Sequence, residues 1–148
     1  MNKKEENKLS MLKKGHSDYP SSPNKARLET FDNPSPDVGY TVEFESQEFT
    51  SLCPVTSQPD FAGIKITYGP DKKCIESKSL KLYLFSYRNT PGFAEDLVNR
   101  ILKDLSAACR PKWMEIEADF APRGGISIKV KSKIPDKKEG KQSKSPQD

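Results

Sequence analysis

Apolar and polar residues alternate just after Gly39, where Tyr40, Val42 and Phe44 are separated by Thr41, Glu43 and Glu45. This period of two predicts a half-buried strand. A second alternation runs from Phe61 to Tyr68, sets Ile64 and Ile66 against Lys65 and Thr67, and stops at Gly69-Pro70, predicting a second strand. Between the two lies Phe49 to Phe61, FTSLCPVTSQPDF, read as a loop stiffened by Pro54 and Pro59. Glu76 to Asn89 fits two periods: Leu80, Leu82 and Leu84 alternate, whereas Leu80, Tyr83, Leu84 and Tyr87 follow a helical spacing. Its length and its early serines favour a helix, with Ser77 or Ser79 as cap. A clearer helix starts at Thr90-Pro91-Gly92 and runs to about Ala108, with Thr90 as cap and Glu95 and Asp96 complementing the dipole. Its apolar stripe is Phe93, Leu97, Val98, Ile101, Leu102 and Leu105. Strands at Trp113–Phe120 and Ile126–Val130, joined through Ala121 to Gly125, close the pattern. The order ββααββ predicts an α+β domain: an antiparallel sheet with both helices on one face.

The flanks carry no sustained period. Residues 1–36 are polar and rich in Ser, Pro, Asn and Lys, and read as a mobile N-terminal arm; residues 131–148 read as a basic disordered tail, leaving 37–130 as the domain. The chain has 148 residues, 33% apolar and 31% charged, with twelve prolines, which suits one modest core with disordered ends. There is no apolar run of membrane-spanning length, and the start MNKKEENKLS does not resemble a signal peptide, so a cytoplasmic protein is expected.

The net charge of +4 first suggests nucleic acid, but residues 129–148 alone carry +4, residues 1–36 carry +2, and the middle carries −2. The basicity belongs to the tails, and no direct nucleic-acid contact is expected of the folded part. Cys53, Cys74 and Cys109 lack CxxC spacing and the one histidine, His16, lies in the polar arm, so no metal site is expected.

The candidate chemistry centres on Cys53 and Asp60, a thiol and a carboxyl group seven residues apart. A lone cysteine is more often an idle small hydrophobe, and Cys74 and Cys109 are assigned to packing. Lys78 and Lys81 share a helix face and can clamp phosphates, or be merely solvated. Arg123, in a PRGG turn, offers a planar fork for a further phosphate, or is an exposed turn residue. Glu76 and Glu95 can accept from the N–H-rich edge of a purine-like ring; the usual explanation for a glutamate near a helix start is the dipole. No GxGxxG or GxxxxGK[ST] cradle is present.

Together, FTSLCPVTSQPDF, IESKSLKLYLFSYRN, the FAED start of the second helix and FAPRGGISI resemble the NADPH-dependent 7-cyano-7-deazaguanine reductases. These are the QueF-type nitrile reductases of queuosine biosynthesis, here in their short single-unit form. The resemblance covers roughly residues 37–130. It implies the tunnelling fold, a homo-oligomeric barrel of two stacked rings, and active sites between subunits. It implies further that Cys53 attacks the nitrile carbon to give a thioimide, that Asp60 supplies protons, and that two NADPH deliver the hydrides. Ile75, Glu76, Ser77, Ala94 and Glu95 match the positions that bind the deazaguanine, and Lys78, Lys81 and Arg123 the cofactor phosphate contacts; no metal is required. The family usually has histidine where this chain has Ala94, so a lower affinity or rate is expected. Two other readings stand beside it: an amidine-forming relative acting on nitrile-modified tRNA, and a non-catalytic deazapurine-binding module. The lysine-bearing ESKSLK stretch favours the reductase.

Overall fold

The computed structural model describes residues 18–136. Its strands are β1 (Thr30–Asp32), β2 (Val42–Leu52), β3 (Pro59–Gly69), β4 (Lys73–Ile75), β5 (Trp113–Arg123) and β6 (Ile126–Ile134). Helices α1 (Ser77–Phe85) and α2 (Ala94–Cys109) lie between β4 and β5, and a 3-10 turn over Ser86–Asn89 extends α1. The main sheet is antiparallel, in the order β2-β3-β5-β6, and the short β1 and β4 form a second pair. The ββααββ order read from the pattern is therefore present.

Register explains which residues form the core. Ile64, Ile66 and Tyr68 stand opposite Ala118, Ile116 and Met114, and all six are buried on the face that receives the helices. Leu97, Val98, Ile101, Leu102 and Leu105 of α2 complete that layer. Each large aliphatic side chain so buried contributes roughly 1.5–3 kcal/mol of transfer free energy. The alternate positions form the other face, where Lys65 meets Glu43 at 3.5 Å and Lys129 meets Glu117 at 3.4 Å.

Several elements differ from the pattern reading. β2 continues through Phe49 to Leu52 and β3 begins at Pro59, so the loop shrinks to residues 53–58. The alternation was hidden because the register shifts between Ser46 and Phe49, a bulge that breaks the period of two. α1 is capped by Glu76, not by Ser77 or Ser79: its carboxylate accepts from the backbone N–H of Lys78 at 2.7 Å and of Ser79 at 2.8 Å. The Ser79 hydroxyl instead donates to the Glu76 carbonyl at 2.9 Å. α2 begins at Ala94, and Thr90 does not cap it. Thr90–Gly92 is drawn away from the helix by Leu52, whose N–H reaches the Thr90 carbonyl and whose carbonyl accepts from Gly92, both at 3.1 Å. Phe93, expected in the apolar stripe, is 58% exposed because it precedes the first helical turn.

β5 runs on to Arg123, leaving Gly124 and Gly125 (φ 57° and 75°) as the whole turn into β6. Both central residues need positive φ in such a tight hairpin, which glycine adopts without steric cost. β6 continues past residue 130 to Ile134, its lysines facing outward while Ile134 stands opposite Met114. The lysine-rich composition masked this alternation. At the other end, β1, which lies within the stretch read as a mobile arm, pairs with β4; three residues are too few to display a period. Residues 1–17, including His16, and 137–148 lie outside the described residues.

Candidate active site

Cys53 directly follows β2, and Asp60 sits in β3 opposite Ser51. The hairpin loop closes on itself: the Cys53 N–H donates to the Gln58 carbonyl at 2.8 Å and the Ser57 N–H to the Cys53 carbonyl at 3.0 Å. Ser57 takes the left-handed conformation (φ 59°) that this short return requires. The Cys53 thiol is half-buried and free. A hydrogen bond from the Thr56 side chain, then the backbone of Thr56 and Val55, and finally the charge of Arg123 hold it below the usual thiol range. Partial desolvation opposes them and does not prevail. A thiol so placed is more largely thiolate at neutral pH, the form that acts as a nucleophile.

Arg123 closes the other side of this cluster. Its Nε is 2.7 Å from Asp60 Oδ1, one terminal nitrogen donates to the Pro59 carbonyl at 2.7 Å, and the other to Gln58 Oε1 at 3.1 Å and Thr56 Oγ1 at 3.5 Å. Ala94 and Glu95 join the same end of the sheet, because Leu52 holds Pro91 in a parallel bridge just before α2. Glu95 is exposed, while Ala94 packs partly against the core.

Ile75, Glu76 and Ser77 lie elsewhere. The Ile75 N–H donates to the Tyr68 hydroxyl at 2.9 Å, at the far end of β3 from Asp60. Eight steps along a strand at about 3.3 Å each separate the two ends by roughly 26 Å. There, a half-open cavity of about 420 Å³ is lined by Tyr40, Phe44, Tyr68, Ile75, Glu76 and Ser77, among others. Its aromatic walls and buried carboxylate suit a flat heterocycle with donor groups on one edge. Tyr40 and Phe44 were legible only as strand residues; their alternation carried no sign of a ligand.

Lys81 borders a third space, a groove of about 220 Å³ between α1 and β2 with Phe44, Phe49, Leu80, Leu84 and Arg88 among its walls. Arg88, which the sequence places with Lys78 and Lys81 off the apolar face, lies seven residues after Lys81 and so on the same helical side, its guanidinium 4.0 Å above the Phe85 ring. Lys78 is half-buried in the first turn of the same helix. Among the described residues no group of His, Cys, Asp or Glu is arranged to hold a metal, and no helix is long and apolar enough to cross a membrane.

Comparison with known proteins matches residues 59–139 to the family model of the QueF-like proteins. A protein of Bacteroides thetaiotaomicron is 60% identical over 101 residues, covering 68% of this chain and 67% of its own, and is named NADPH-dependent 7-cyano-7-deazaguanine reductase. The chain belongs to the QueF-like family. A relative from Neisseria meningitidis serogroup B carries the same name at 54% identity over 120 residues, covering 81% of this chain and 76% of its own. Among solved structures, apo archaeosine synthase QueF-Like superposes with a TM-score of 0.59 at 20% identity, over 63% of this chain and 91% of that one. That likeness supports the tunnelling fold, in which the family's shared sheet and helix pair recur.

Proposed function

We propose that the chain is an NADPH-dependent reductase of 7-cyano-7-deazaguanine that makes the 7-aminomethyl product for queuosine biosynthesis. The observation that carries the reading is the cluster of a pKa-lowered Cys53 thiol beside an Arg123-held Asp60 carboxyl group. The reductase name of the relatives at 60% and 54% identity supports it. The amidine-forming alternative has a neighbour at only 20% identity, which speaks for the fold alone.

In this reading the Cys53 thiol gives its proton to the Asp60 carboxylate as its sulfur adds to the nitrile carbon, forming a C–S bond, and Asp60 passes that proton to the nitrogen, giving a thioimide. NADPH, when bound, supplies the two hydrides that take the nitrile to the amine. After the first reduction Cys53 departs as the C–S bond breaks and the imine forms; the second reduction completes the amine. Enclosure by the protein keeps water from the imine. Glu76 and Glu95, with Ile75, Ser77 and Ala94, bind the deazaguanine. The two free acceptor directions of the Glu76 carboxylate, beyond those its cap uses, meet the ring N–H and exocyclic amine. Lys78 and Lys81 meet cofactor phosphates: Lys81 is exposed at the groove rim beside Arg88, a cationic edge that fits phosphate.

The same geometry supports a homo-oligomer. Glu76 and Cys53 stand at opposite ends of one sheet, so a single chain does not bring them to one ligand, whereas the Cys53 end of one copy against the Glu76 end of another does. Val55, Phe61, Phe93, Ile126 and Ile128 are exposed around the Cys53 end, an apolar surface of the kind a partner covers. The test is NADPH absorbance on addition of the nitrile. Two equivalents lost per nitrile, and none with Cys53→Ala, are expected. No loss together with amidine product overturns the reading in favour of the synthase, and tight binding without adduct or turnover in favour of a binding module.

A further inference from the structure

Arg123 is placed where a phosphate ligand is poorly served. Its Nε is ion-paired with Asp60 Oδ1, and its two terminal nitrogens donate to the Pro59 carbonyl, Gln58 Oε1 and Thr56 Oγ1. All four acceptors belong to the turn and strand that carry Cys53 and Asp60. The arginine arrives from a different hairpin, and its backbone is set by the Gly124–Gly125 turn that immediately follows. Two hairpins, β2–β3 and β5–β6, are thereby joined by one planar fork at the mouth of the cluster.

We infer that Arg123 is the positioning residue of the candidate reductase site: its guanidinium clamps the Asp60 carboxylate and the Thr56–Pro59 turn together, and so sets the thiol of Cys53 and the carboxyl group of Asp60 in working relation. This rests on the reading of Cys53 as nucleophile. Three consequences follow from the contacts. Asp60 is held by its Oδ1, which leaves Oδ2 to face the ligand. Thr56, first among the groups that stabilise the thiolate, is itself steadied by Arg123. The arginine's charge acts on the sulfur directly as well. Arginine's fixed fork serves several acceptors at once; a lysine ammonium keeps the charge but not that geometry.

The experiment compares wild type, Arg123→Gln and Arg123→Lys as full chains, each checked for folding and oligomeric state by circular dichroism and gel filtration. Cys53 alkylation by iodoacetamide is followed against pH without nitrile or NADPH, in a Cys74→Ser/Cys109→Ser background to isolate the one thiol. Arg123→Gln is expected to raise the apparent thiol pKa and slow alkylation at pH 7 about tenfold, the effect of one pH unit. Arg123→Lys is expected to retain part of the shift through its charge, yet to lose kcat for the nitrile nearly as fully as Arg123→Gln. The Michaelis constant for NADPH stays within about threefold of wild type in both, since the cofactor does not depend on this fork. A folded Arg123→Gln with an unaltered alkylation profile and a raised Michaelis constant for NADPH overturns the inference and makes Arg123 a phosphate contact. Because alkylation needs neither substrate nor turnover, the inference fails separately from the proposed activity, which fails only if wild type does not consume NADPH.

Discussion

Glu76 caps helix α1 and, in the proposed reading, also binds the deazaguanine, and substitutions can separate the two roles. Its oxygens accept from the Lys78 and Ser79 N–H groups at 2.7 and 2.8 Å, and the residue is only 6% exposed. Glu76→Ala removes a cap, which costs about 1–2 kcal/mol, and leaves buried donors short of an acceptor, so a total of about 2 kcal/mol is expected. For a domain of this size that lowers Tm by roughly 6–10 °C. Glu76→Asp behaves differently. Aspartate is among the preferred capping residues, so helix α1 keeps its start and Tm falls by no more than about 2 °C. Its carboxylate is nevertheless drawn back by one C–C bond, about 1.5 Å, away from the cavity edge. The lost charge-assisted hydrogen bonds, about 1.5–3 kcal/mol, weaken nitrile binding by roughly 10- to 100-fold. Melting is read by circular dichroism at one fixed protein concentration, because assembly makes Tm depend on concentration. Binding is read by calorimetry in a Cys53→Ala background, which excludes the covalent adduct. A Glu76→Ala variant that melts with wild type refutes the capping role. A Glu76→Asp variant that binds the nitrile as wild type does refutes the ligand role.

Three further outcomes are expected. The rate of nitrile adduct formation without NADPH should be full above the lowered Cys53 pKa and fall as pH drops through it, with a midpoint below the ~8.5 of an ordinary cysteine; mass spectrometry that places the midpoint at or above that value contradicts the hydrogen bonding described. Tyr83→Phe deletes the buried hydroxyl that donates to Asp104 Oδ2 at 2.6 Å and meets the Tyr87 hydroxyl at 2.8 Å, and should cost about 1–2 kcal/mol in urea denaturation; an unchanged midpoint shows the network carries no net stability. Gly69→Ala places a methyl 2.5 Å from Trp113 Nε1, a rigid ring opposite it in β5, and should destabilise by about 1–3 kcal/mol; a wild-type melt shows that the indole swings aside freely.

Periodicity carried the element order, the helix-facing sheet residues and most of the α2 stripe, because burial on one face imposes a repeat that local sequence must keep. The two glycines after Arg123 announced their turn, since positive φ is a local demand. The ends of elements were less legible. A bulge broke the alternation of β2, Leu52 took the backbone of Thr90–Gly92 that a helix cap would have used, and Glu76 displaced both serines as the cap. The last two are settled by a competing hydrogen bond from a distant or non-standard partner, which propensity does not register.

The residue types of the candidate site, Cys53, Asp60, Glu76, Glu95, Lys78, Lys81 and Arg123, were all visible along the chain, together with the motifs that pointed to a nitrile reductase. Their chemistry is a property of each side chain and travels with the sequence. Their company is not. Only the folded chain set Arg123 on Asp60 across 63 positions, and only the length of β3 held Glu76 far from both. Strand register and sheet length are collective outcomes of pairing and core packing, so the same list of residues became one thiol–carboxyl cluster, one separate aromatic cavity and a groove edged by Lys81 rather than a single pocket.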